Sequence, residues 1–139
     1  MGEEIKQSET STRKIRILLI DDEPAIVKIL GRMLQLAGFE VSSAMDGEAG
    51  LAKARAELPD AIVLDLMLPK INGFEVCAAL KNDEATQHIV IVIFSARGRQ
   101  EEQRCLELGA SAFFNKLDPA TELIKTIKAL CAQSGQEKQ

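Results

Sequence analysis

The stretch "KIRILLIDDEPAIVKILGRMLQLAGFEVSSA" (residues 14–44) decides the fold. It opens on "KIRILLI" (14–20), nearly continuous in Ile and Leu after its basic start, as a strand covered on both faces requires. The run breaks at Asp21, Asp22, Glu23 and Pro24, and the apolar period then changes. Ile26, Leu30, Met33, Leu34 and Ala37 fall at i, i+4, i+7, i+8 and i+11, one stripe of a helix. Pro24 suits the first helical turn and Gly38 the exit. "FEVSSA" (39–44) then returns to strand composition.

The same alternation continues outward. Strands are expected at "AIVLDL" (61–66), "IVIVIF" (89–94) and "SAFFN" (111–115). Helices are expected over about 46–57, 72–81 and 98–109, the last with a weaker period. A final helix opens at "LDPATELI", where Asp118 can cap and Pro119 fits the first turn, with Leu123, Ile124, Ile127 and Leu130 as its buried stripe. Repeated strand-then-helix units predict an α/β sandwich on a parallel sheet with right-handed crossovers, too short for an eight-fold barrel.

Length and composition set the remaining limits. A chain of 139 residues fits one domain with an ordinary core, expected over 13–132 with polar, flexible extensions at 1–12 and 133–139. No apolar run approaches the ~20 residues that cross a bilayer, so no membrane partner is expected. The net charge of −4, with Lys and Arg scattered, argues against a direct nucleic-acid surface. Cys77, Cys105 and Cys131 stand far apart without metal-type spacing and read as buried thiols in a reducing, cytoplasmic setting.

In an open parallel sheet, ligands bind beyond the C-terminal strand ends. Those ends carry Asp21 and Asp22, then Asp65, Ser95 and Lys116, while the second strand ends blandly in Ser42, Ser43 and Ala44. Adjacent carboxylates repel by about 4 kcal/mol at ~4 Å, even at an effective dielectric near 20. Three carboxylates and one ammonium leave two negative charges, which a divalent cation cancels. Mg²⁺ is the natural candidate, since it prefers a few carboxylates and keeps waters. Asp65, held in the apolar run "AIVLDLMLP", is placed to attack phosphorus and form an acyl phosphate. Lys116 and the metal would steady the phosphoryl oxygens, and Ser95 could hydrogen-bond them.

With four motifs in order, "ILLIDDEP", "AIVLDLMLPKINGFEV", "IVIFSARG" and "FFNKLDP", the chain resembles the receiver domain of two-component response regulators over about residues 14–132. The resemblance implies a flavodoxin-like (βα)5 three-layer sandwich with strand order 2-1-3-4-5. It implies that Asp65 is the phosphoacceptor, loaded from the phosphohistidine of a sensor histidine kinase or a histidine phosphotransfer protein. Asp22 and Asp65 would bind Mg²⁺ directly with the Met67 carbonyl, and Asp21 through a water. Ser95 and Lys116 would contact the phosphoryl group, and Phe113 would be the aromatic switch that turns inward on activation. The face made by the fourth helix, fifth strand and fifth helix would be read by a downstream protein, an output domain or a second copy in a phosphorylation-dependent homodimer. Such a domain catalyses only its own phosphoryl transfer and dephosphorylation, and is not otherwise an enzyme.

Three positions depart from or tune that pattern. The family's proline after the lysine is Leu117 here, which requires either a strained cis peptide or a reshaped trans loop. Met67 and Arg97 stand where the family tunes phosphoryl lifetime.

Each residue alone has a plainer reading. Asp21 and Asp22 could simply favour a helix dipole. Asp65 could cap a turn, Ser95 bond the backbone, and Phe113 belong to the core. Lone His88 reads as a surface residue. Three other functions fit less well. A flavin carrier needs a phosphate-cradling first loop rather than "DDEP", and a Mg²⁺-dependent phosphatase with its nucleophile on the first strand would show D-x-D there. A phosphorylation-independent adaptor would not need the complete acceptor set.

Overall fold

The computed structural model describes residues 13–96 and 99–137, with side chains through 132. Arg97, with its expected tuning role, and the expected extension at 1–12 lie outside the described residues.

The chain alternates strand and helix throughout. The strands are β1 (Arg16–Ile20), β2 (Glu40–Ala44), β3 (Ala61–Leu64), β4 (Val90–Ser95) and β5 (Ala112–Asn115). The helices are α1 (Pro24–Leu36), α2 (Gly47–Glu57), α3 (Gly73–Lys81), α4 (Glu102–Glu107) and α5 (Ala120–Glu137). All pairings are parallel, and the sheet order is β2-β1-β3-β4-β5. This is the expected flavodoxin-like (βα)5 sandwich, with β2 at one edge.

Alternation within β1 builds both cores. Leu18 and Ile20 join the cluster under α2, α3 and α4, with Leu51, Val76, Cys77, Leu80 and Cys105. Ile17 and Leu19 join the cluster under α1 and α5, with Leu30, Leu34, Leu123 and Ile127. The near-continuous aliphatic run thus reflects two covered faces. In α1 the predicted stripe faces the sheet, Pro24 occupies the first turn, and Gly38 (φ 102°) supplies the left-handed exit.

The helix starts differ from one another. Asp46 caps α2 by accepting from the Ala49 N–H at 2.7 Å. Asn72 and Glu75 form a reciprocal capping box on α3. Asp118 was expected to cap α5, but its Oδ2 turns back to accept from the Asn115 N–H at 2.9 Å. The fourth helix is shorter than expected. A 3-10 turn over Arg99–Glu101 precedes it, and Glu101 makes no side-chain cap bond. Without a cap, its first N–H groups lack the stabilisation that would let the α-helix begin earlier. At the other end, α5 continues through Glu137, past the boundary expected at 132. All three cysteines are free and buried, as their spacing predicted.

Candidate functional site

The strand ends converge because each is tied to its neighbour one step beyond the ladder. The Asp21 N–H donates to the Ala44 carbonyl at 3.1 Å and the Asp65 N–H to the Ile20 carbonyl at 3.0 Å. The Lys116 N–H donates to the Ser95 carbonyl at 2.9 Å. Asp65 follows the last residue of β3 rather than lying within it, yet its backbone remains registered to β1.

Asp21, Asp22 and Asp65 each offer one carboxylate oxygen, all within 4.8 Å of one another. Asp21 is 1% exposed and Asp65 3%, whereas Asp22 faces solvent. Lys116, its side chain 10% exposed, pairs with Asp21 Oδ2 at 2.9 Å and Asp65 Oδ2 at 3.4 Å, and also with Glu23 Oε1. The repulsion between Asp21 and Asp22 is therefore relieved in two ways. One carboxylate turns in toward an ammonium, and the other remains hydrated.

Relief is incomplete, because two of these carboxylates are buried against one ammonium. Desolvation, followed by the charge of Asp21, pushes the Asp65 carboxyl up to about 6. Burial also raises Asp21, against the opposing pull of Lys116. Burial alone would lower Lys116, but the hydrogen bonds it donates to Asp21 and Glu23 and the Asp65 charge outweigh it and hold the ammonium well above the usual lysine range. Counting Glu23, the site gathers four carboxylates around one cation, three of them paired with it. That excess of hard oxygen donors suits a divalent cation. The donor set fits the expected metal.

The turn after Asp65 is clamped at several points. The Met67 N–H donates to Asp65 Oδ1 at 3.3 Å, and the Gly73 N–H closes the turn on the Leu66 carbonyl at 3.0 Å. Lys70, at φ 71°, pairs with Asp46 and Glu48, each at 3.7 Å. A Cβ on Gly73 would stand 2.2 Å from the Asp65 carbonyl oxygen and 2.6 Å from Leu66 Cα. The glycine is thus required by close backbone approach. Gly73→Ala is expected to destabilise the fold by about 2 kcal/mol through overpacking, read by urea denaturation.

Ser95 is fully buried as the last residue of β4, opposite Asn115. Phe113 is 5% exposed on β5, opposite Ile93 and inside the core cluster, so its ring lies inward. Met67 is 53% exposed beside the site. The described residues contain no cis peptide bond, so of the two geometries open to Lys116–Leu117 the structure takes the trans one. Leu117 is left 94% exposed at the rim. His88 is exposed, as expected.

Glu23 is the residue that sequence reasoning missed. It read as part of an acidic run before a helix, and its contact with Lys116 spans 93 positions. Only the convergence of the strand ends could have pointed to it.

The sequence matches the response regulator receiver domain family over residues 17–128, and the chain belongs to that family. It is 40% identical over 116 residues to the DNA-binding dual master transcriptional regulator RpaA of Synechocystis, covering 83% of this chain and 48% of that protein. It is 43% identical over 116 residues to the response regulator PleD of Caulobacter vibrioides, covering 83% of this chain and 26% of PleD. The chain therefore spans about half, or less, of these relatives. Among solved structures, the chemotaxis response regulator CheY4 of Vibrio cholerae superposes with a TM-score of 0.78 at 28% identity, covering 84% of this chain and 98% of that one. A CheY-like receiver domain from Methanospirillum hungatei gives 0.83 at 25% identity, covering 90% and 99%. Family and acidic cluster together define a response regulator receiver domain whose Asp21, Asp22 and Asp65 can coordinate a divalent cation. No helix among the described residues is long and apolar enough to cross a membrane.

Proposed function

We propose that Asp65 is the phosphoacceptor and that the donor is the phosphohistidine of a sensor histidine kinase or histidine phosphotransfer protein. The observation that carries this reading is the setting of Asp65. It is a buried carboxylate fixed to β1 through its backbone, within reach of Lys116, with two further carboxylates beside it.

An Asp65 oxygen attacks phosphorus and the P–N bond of the phosphohistidine breaks. Its electrons return to the imidazole nitrogen, which is protonated. Asp21, Asp22, Asp65 and the Met67 carbonyl would hold Mg²⁺, whose charge would offset that on the phosphoryl oxygens. Lys116 leaves part of its carboxylate cage to pair with those oxygens, and the Ser95 hydroxyl donates to them. Phe113, already inward, packs more firmly as Ser95 moves. That change is passed to the surface of α4, β5 and α5, where a downstream protein, an output domain or a second copy binds. The buried free thiols accord with a cytoplasmic setting.

The test is phosphoramidate, a small donor whose P–N bond resembles that of phosphohistidine. With Mg²⁺, the wild-type chain is expected to gain one hydroxylamine-labile phosphoryl group by intact mass, and Asp65→Asn none. An adduct of equal yield on the variant would overturn the assignment.

A further inference from the structure

We propose that Glu23 is a positioning residue for phosphoryl transfer, holding the Lys116 ammonium on the solvent side of the site and away from the acceptor. The inference rests on the reading of Asp65 as phosphoacceptor.

Lys116 Nζ faces three carboxylates, and their settings differ. Asp21 and Asp65 are buried and pinned by their backbones, so neither can follow the ammonium if it moves. Glu23 is the exception, with its side chain 58% exposed. It sits at the N-cap of α1, yet its side chain makes no cap bond to that helix and reaches Lys116 instead. Of the Lys116 pairs, the one with Asp65 is long, at 3.4 Å, against 2.9 Å for Asp21. The lysine is therefore drawn toward Asp21 and Glu23, and the acceptor holds it least closely.

An incoming phosphoryl group brings new negative charge next to Asp65, and Lys116 must turn to it. The contact with Asp21 is inside the protein, where losing it would strand a buried carboxylate. The contact with Glu23 can be given up cheaply, because water rehydrates an exposed carboxylate and such pairs are weak. Glu23 is thus the releasable partner, and its grip sets how readily the ammonium becomes available to the donor. Length is essential to this role. Aspartate at the same position keeps the charge but falls short by one methylene, about 1.5 Å.

The test uses the full chain with saturating Mg²⁺ and sub-saturating acetyl phosphate, following the phosphoryl adduct over time by intact mass. Asp65 attacks phosphorus and acetate leaves with the electrons of the broken P–O bond. Glu23→Gln and Glu23→Asp are both expected to be phosphorylated roughly 2- to 5-fold faster than wild type, the span of one exposed ion pair. A purely structural role would move the melting temperature without accelerating the reaction. Acceleration in Glu23→Gln alone would reduce Glu23 to a repelling charge at the rim and overturn the positioning role. Unchanged or slower rates in both variants would overturn it as well. If wild type itself takes no phosphoryl group, the acceptor reading fails and the Glu23 assignment falls with it. If wild type is phosphorylated and the variants match it, only the Glu23 assignment fails.

Discussion

Asp65→Asn is expected to stabilise the metal-free domain by about 3 kcal/mol at neutral pH, although it removes the central residue of the site. The Asp65 carboxyl is raised from 3.8 to about 6 in the fold. A raised acid binds its proton more tightly in the folded state. Its contribution to stability is therefore full below pH 3.8 and is lost as pH rises through 6. At pH 7 and above, the metal-free protein carries the whole cost of an ionised buried carboxylate, roughly two pH units at about 1.4 kcal/mol each. Asparagine can keep the contact with the Met67 N–H and has no charge to bury. For a domain of this size, the gain corresponds to a melting temperature higher by roughly 6–12 °C. The check is thermal unfolding in EDTA at pH 7.5 and near pH 4, where the difference should shrink toward zero. Saturating Mg²⁺ should stabilise wild type much more than the variant. A variant less stable than wild type in EDTA at neutral pH would contradict the electrostatic account.

Lys116→Met should act in the opposite direction. The lysine is the cation that pairs with the buried Asp21 and Asp65. Removing one partner of a buried ion pair costs about 3–5 kcal/mol, because the remaining charge is left uncompensated. Methionine preserves much of the side-chain volume, so lost packing is a small part of that cost. The variant should recover stability as pH falls and Asp21 and Asp65 take up protons, since both are raised above their ordinary value. Mg²⁺ should rescue it in part at neutral pH by supplying the missing positive charge. Urea denaturation across pH, with and without Mg²⁺, checks both statements. Loss of the same size at every pH would show that Lys116 acts through packing instead.

These opposite signs express one property of the site. A site able to take a divalent cation leaves the unliganded domain with more carboxylates than it can neutralise. Stability is given up there and supplied by the two apolar layers on either side of the sheet.

The fold was legible because burial on two faces leaves a continuous aliphatic run, and β1, β3 and β4 all carry one. The meeting of Asp21, Asp65 and Lys116 was legible because parallel strands place their C-terminal ends together, so these residues could be assigned to one patch by counting. What escaped the sequence depends on contacts rather than on periods. Gly73 looks like an ordinary helix-start residue until the backbone of Asp65 is found against it. Glu23 looks like dipole-favouring charge until Lys116 arrives from the far edge of the sheet. Asp118 has a capping residue's composition, yet the tight turn after β5 claims its carboxylate. The fourth helix combines weak periodicity with an uncapped start, so its length is set by tertiary packing, through Cys105 in the core.

The measurement that tests the central claim most directly is the location of the phosphoryl group. The full chain is treated with acetyl phosphate and Mg²⁺, then reduced with borohydride, which converts an acyl-phosphate aspartate to homoserine, and its peptides are mapped by mass. Homoserine at position 65, dependent on Mg²⁺ and absent at 21 and 22, is the predicted result. Homoserine at 21 or 22, or at 65 without any need for Mg²⁺, would contradict the account.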